Sequence, residues 1–114
     1  MISKKMQDLI NKQINMEIGS AYIYYSMSAW AQDQDLPGLA NWMRIQALEE
    51  LTHGDKFFHY MVERGARVVM DKIDKPQTEW KTPVAVMETT LGHENKVTAS
   101  INALVTQARK ENDH

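Results

Sequence analysis

Glu49-Glu50-Leu51-Thr52-His53 lies inside a long proline-free run that reads as helix. Residues three apart on a helix stand side by side, so Glu50 and His53 share one face. The same face carries Leu39, Trp42, Met43, Phe57 and Met61, which turns an acid and an imidazole toward an apolar core. Burying a charge there is costly unless something compensates it, and a metal ion is a common compensator. A solvated or purely structural pair is the competing reading, because Glu-x-x-His also occurs by chance on helices.

Working outward, this helix begins near Pro37, which suits a first turn where no backbone donor is needed, and stops near Arg64 ahead of Gly65. Before it, residues 3 to about 33 form another helix with no proline and only Gly19 as an interruption. Ile10, Gln13, Glu17, Ser20, Tyr24 and Met27 follow at three- or four-residue steps, while Leu9, Met16, Ile23 and Trp30 recur every seven. So wide a stripe suits a helix packed against more than one neighbour. The short break at Gln34-Asp35-Leu36 makes the two helices an antiparallel hairpin. A third helix opens at Thr82-Pro83, a capping residue followed by proline, with Met87, Leu91, Glu94, Val97, Ile101, Val105 and Ala108 as its stripe. It frays into Lys110-Glu111-Asn112-Asp113-His114.

Between the second and third helices lie residues 66–81, holding Pro76, scattered charges and the weakly alternating run Val68-Val69-Met70. That is long for a helix-to-helix link. At roughly 3.3 Å per residue it could cover about 50 Å, more than the roughly 42 Å of a 28-residue helix. It could therefore travel the length of the hairpin and start the third helix parallel to the second, as in a four-helix bundle with one long crossover. A loose surface loop fits the length equally well. The fold class is all-α, a bundle of three long helices whose fourth side is left to be covered.

The 114 residues, 43% of them hydrophobic, suit one domain with a modest core. A net charge of −2 gives no basis for nucleic-acid binding, and no window approaches the roughly 18 apolar residues that span a bilayer. The opening Met1-Ile2-Ser3-Lys4-Lys5-Met6-Gln7-Asp8 is amphipathic, unlike a signal peptide, so a cytoplasmic location is expected. Zero cysteines exclude disulfides, thiolate metal sites and a cysteine nucleophile. Only oxygen and imidazole ligands remain for a metal.

Glu17 sits in the stripe of the first helix where an apolar residue is expected, and Glu94 does so in the third. Each alone could be a core carboxylate held by a neighbour such as Tyr24, Gln13 or an arginine. His93 and Glu49 are turned about 100° from Glu94 and Glu50, which reads as a surface or interface histidine and a solvated acid. Glu17, Glu50, His53 and Glu94 lie near the middle of their helices, so side-by-side packing brings them to one depth. A Glu from each of two helices plus Glu-x-x-His pairs from the other two is the recipe for a di-iron site in a bundle, and such ligands suit iron. Tyr24 could lend an electron or a hydrogen bond, or could be ordinary aromatic packing.

Met16-Glu17, the run Leu36-Pro37-Gly38-Leu39-Ala40-Asn41-Trp42-Met43, Glu49-Glu50-Leu51-Thr52-His53 and His93-Glu94 resemble a bacterial-type non-haem ferritin, in order and spacing along the whole chain. The resemblance implies a single ferritin-like domain over residues 1–114, iron storage in a hollow shell of twenty-four chains, and oxidation of Fe(II) by oxygen at a ferroxidase centre. It implies that Glu17, Glu50 and His53 hold one iron, that Glu50 bridges to a second held also by Glu94, and that Glu49 serves an accessory iron. Bacterioferritins carry a haem-binding methionine just after the bridging glutamate. Leu51 stands there, so no haem is expected.

Members of that family continue into a fourth and a fifth helix, which this sequence does not contain. A truncated form would depend on a second chain to close the bundle. Two hairpins packed antiparallel would supply two Glu17 and two Glu50-x-x-His53 pairs, a swapped dimer that does not use Glu94. The reading from another class is a non-catalytic helical assembly module, or an inactive ferritin fragment, with the carboxylates satisfied by side chains. Aerobic Fe(II) oxidation separates the two.

Overall fold

The computed structural model describes residues 2–111; Met1 and the Asn112-Asp113-His114 part of the expected frayed tail lie outside the described residues. Three helices make up the regular structure, α1 Lys4–Asp33, α2 Pro37–Glu63 and α3 Pro83–Lys110, and no strand forms among the described residues. Each helix starts where local chemistry permits. Ser3 Oγ accepts from the Met6 amide at 3.1 Å and Thr82 Oγ1 from the Ala85 amide at 3.1 Å, so both caps satisfy a first-turn donor. Helix α2 has no side-chain cap and relies on Pro37, which has no amide hydrogen to satisfy.

The first two helices end in the same six-to-one turn. The Leu36 amide donates to the Ala31 carbonyl at 2.9 Å and the Ala66 amide to the Met61 carbonyl at 3.0 Å. Both turns need a left-handed residue, supplied by Asp35 (φ 60) and Gly65 (φ 71). Asp35 then sends the chain directly back, and α1 and α2 form the antiparallel hairpin.

Residues 66–81 form neither helix nor strand. They are laid along α1 and held there by its asparagines: Asn11 bonds the Arg67 carbonyl and the Val69 amide, and Asn15 the Lys72 carbonyl and the Asp71 amide. Ser26 takes the Gln77 carbonyl at 2.6 Å. The segment thus runs up α1 from its N-terminal to its C-terminal half, and Trp80 closes it by packing edge-on against Trp30. It is the long crossover, not a loose loop, and α3 starts beside the hairpin turn.

Of the two other helices, α3 has its close backbone neighbours in α1: no Cα of α2 comes within 8 Å of one in α3. Its buried residues are Val86, Thr90, Val97 and Leu104, which place the α1-facing seam one position before most of the expected stripe. Met87, Leu91 and Val105 are exposed instead. On α2, Met43 and Met61 are fully buried as expected, but Trp42 is 42% exposed, because its position turns toward the edge of the hairpin.

The core has two apolar clusters. One, at the hairpin turn, contains Tyr24, Met27, Trp30, Met43, Trp80 and Val86; the other, at the opposite end, contains Met6, Ile10, Ile14, Met61 and Leu104. Between them lies a belt of buried polar residues, Gln13, Glu17 and Ser20 of α1 and Glu50 of α2.

Candidate metal centre

Helix α1 brings Glu17 to the middle of the belt, 1% exposed, and α2 brings Glu50, 5% exposed. Gly54 of α2 lies at the crossing, where an added Cβ would stand in ordinary contact 3.6 Å from the Glu17 Cβ. His53 follows Glu50 by one turn, with its side chain half exposed at the rim. Its Nδ1 is 3.3 Å from Glu50 Oε2 and 3.7 Å from Glu17 Oε2. One donor atom from each of Glu17, Glu50 and His53 lies within 4.8 Å of the others, the one such cluster among the described residues.

The charges are only partly compensated. Glu17 Oε1 accepts a hydrogen bond from Gln13 Nε2 at 2.9 Å, while Oε2 is buried with no hydrogen-bond partner. An unmade bond at a buried carboxylate oxygen costs on the order of 1–3 kcal/mol or more, and a bound ion is one thing that offsets it. Burial, with the Glu17 carboxyl beside it and the charges of Glu94 and Glu49 further off, pushes the Glu50 carboxyl up to about 8. A divalent cation among these oxygens would relieve both the orphaned oxygen and the repulsion. Hard carboxylate oxygens with one imidazole fit iron.

Glu94 comes from α3 and is half-buried. It is not in the three-residue cluster; it accepts a hydrogen bond from the Tyr24 hydroxyl. Tyr24 is fully buried, and burial together with the Glu94 carboxylate raises its phenol well above the usual tyrosine range. The phenol is therefore held neutral as a donor, a role beyond aromatic packing. Glu49 is exposed on α2, away from the cluster.

His93, expected at a surface or interface, is half-buried at the contact of α3 with α1. It faces α1, with Nε2 2.6 Å from Ser20 Oγ and its ring edge-on to Tyr24 at 6.0 Å. Ser20 spends its one proton on the Met16 carbonyl, so the imidazole nitrogen is the donor in that contact. Burial, reinforced by Lys96, lowers the His93 pKa against the opposing pull of Glu94 and Glu17. The seam of α3 lies one residue from most of the expected stripe, which turns His93 toward α1.

Sequence reasoning also passed over Ser100. Its hydroxyl donates to Gln13 Oε1 at 2.6 Å and joins α3 to the carboxylate of α1. The available signal was Gln13 itself, a polar residue in an apolar stripe, as anomalous as Glu17.

On the open side, Met6, Ile10, Phe57, Tyr60, Ile101 and Leu104 line an apolar groove of about 520 Å³ between α2 and α3, with Glu17 and His53 also on its wall. The cluster therefore opens laterally into the groove.

The model of the Ferritin-like domain matches residues 7–114. The chain is 40% identical over 113 residues to the bacterial non-heme ferritin of Bacteroides fragilis strain 638R, covering 99% of this chain and 71% of that protein. It is 38% identical to a probable bacterial non-heme ferritin-like protein of Haemophilus influenzae, covering 100% of this chain and 69% of that one. Among solved structures, an open pore ferritin from the hyperthermophilic archaeon Archaeoglobus fulgidus superimposes with a TM-score of 0.96 at 44% identity, over 99% of this chain and 70% of that chain.

Proposed function

The chain belongs to the ferritin family, and from that premise we propose that it stores iron and acts as a ferroxidase. Fe(II) is the substrate, oxygen the electron acceptor, and ferric iron the stored product. Glu17, Glu50 and His53 bind the first iron; Glu50 bridges toward a second, for which Glu94 is the further ligand, and Glu49 is an accessory ligand nearer solvent. The observation that carries this reading is the buried Glu17 Oε2, without a hydrogen-bond partner, beside a second buried carboxyl and an imidazole. Carboxylates stabilise Fe(III) more than Fe(II), so the same ligands that admit the ion favour loss of its electron. Tyr24, by donating to Glu94, holds that carboxylate in place.

Aerobic Fe(II) oxidation followed by absorbance tests the proposal. The chain should oxidise Fe(II) well above the buffer background, and Glu50→Gln should return the rate to that background. A wild-type rate no higher than buffer would favour the non-catalytic helical module.

The groove between α2 and α3 supports a homo-oligomer as the working form, since it leaves an apolar face and one side of the centre without protein neighbours among the described residues. A twenty-four-chain shell and a swapped dimer are the two arrangements proposed, and mass measurement under native conditions separates them.

A further inference from the structure

We infer that Gln13 and Ser100 form a positioning relay that decides which oxygen Glu17 offers to a bound metal. The inference rests on the metal-centre reading above and goes beyond its ligands. Gln13 is 1% exposed, on α1 one turn before Glu17. Its Nε2 donates to Glu17 Oε1 at 2.9 Å and its Oε1 accepts from Ser100 Oγ on α3 at 2.6 Å.

The order of donors and acceptors is not interchangeable. An ionised carboxylate only accepts, so the Gln13 amide must turn its NH2 toward Glu17 and its carbonyl away. A hydroxyl at Ser100 meets that carbonyl with a proton and locks the amide in the one orientation that serves Glu17. The terminal torsion of a glutamate is soft and roughly two-fold, so the helix alone does not set the plane of the carboxylate. Engaging Oε1 sets it, and leaves Oε2 as the oxygen beside His53 Nδ1 and Glu50. The relay thereby carries the position of α3 into the ligand geometry of α1. Partners of this kind, acting through a metal ligand, typically change affinity about 10–100-fold when removed.

Anaerobic titration with Co(II) alone, read by its visible d–d absorption, tests this without any turnover. Gln13→Met keeps the length and volume of the side chain and removes the donor. It should bind Co(II) roughly 10–100-fold more weakly, with altered d–d band intensity, while its helical circular dichroism matches wild type. Ser100→Ala should show a smaller loss of the same kind, and the double variant should be no weaker than Gln13→Met, because Ser100 acts through Gln13. Wild-type affinity and spectrum in Gln13→Met would overturn the relay and leave the metal centre standing. Losses that multiply in the double variant would also overturn it, since the two residues would then act separately. If Gln13→Met does not fold, Ser100→Ala decides: affinity equal to wild type overturns the relay. A wild-type chain that takes up no Co(II) would overturn the metal-centre reading and the relay with it.

Discussion

Glu50 is buried beside another carboxyl, and both circumstances favour its proton. Its folded pKa of about 8 lies above the unfolded value near 4.5, so its contribution to stability is complete below about pH 4.5 and is lost as pH rises through about 8. The metal-free protein should therefore melt at lower temperature at pH 8 than at pH 5. Because the neighbouring His53 reaches solvent, screening holds the effect well below full linkage, to about 1–2 kcal/mol or roughly 4–8 °C. Glu50→Gln should flatten that dependence in a pH series of thermal melts while abolishing Fe(II) oxidation. The buried acids were legible in the sequence because a charge in an apolar stripe violates the pattern. The contact of His93 with Ser20 was not, because whether a residue 100° from the stripe faces α1 depends on how helix α3 is rotated, which only packing decides.

Among the elements, two glycines of α2 and its C-terminal turn make opposite predictions. Gly65 holds the left-handed residue of the turn, so Gly65→Ala should cost about 1 kcal/mol even though space around it is open. Gly54 has a helical backbone, and an added Cβ would meet the Glu17 and Ile18 side chains at 3.6 Å, an ordinary contact. Gly54→Ala should therefore stabilise the chain by about 0.5–1 kcal/mol. Urea unfolding of both variants, at unchanged m-value, checks the pair. Helix starts and stops were readable because capping and left-handed turns are local chemistry: Thr82, Pro83, Pro37 and Gly65 each declare one. The facing of α3 was less so. An apolar surface two seams wide gives no indication of which seam meets α1, and the stripe read from Met87 and Leu91 proved to be the open one.

At the scale of the whole molecule, the groove is lined by Ile101, Val105 and Ala108 of α3 and by Phe57 and Tyr60 of α2. Apolar surface of this kind drives association. Sedimentation should show the chain assembling with concentration, and Val105→Lys, which adds a charge at a residue already 42% exposed, should shift that equilibrium toward smaller species about tenfold without lowering the helix content. Spacing allowed a bundle with one long crossover, yet length could not distinguish a strap from a slack loop. Asn11, Asn15 and Ser26 decide it, and nothing in their identity announces that they will bond backbone 50 or more positions away.

That strap also works as a ruler. It is fastened to α1 at Asn11, Asn15 and Ser26, and α3 begins where it runs out. Removing one extended residue would slide α3 by about 3.3 Å, whereas its side chains recur along the axis only every 5.4 Å or so. No slide of that size could return Glu94 to Tyr24 and Ser100 to Gln13 together. A segment with no ligand of its own thus stores, as a number of residues, the register at which α3 meets α1 beside the carboxylate cluster.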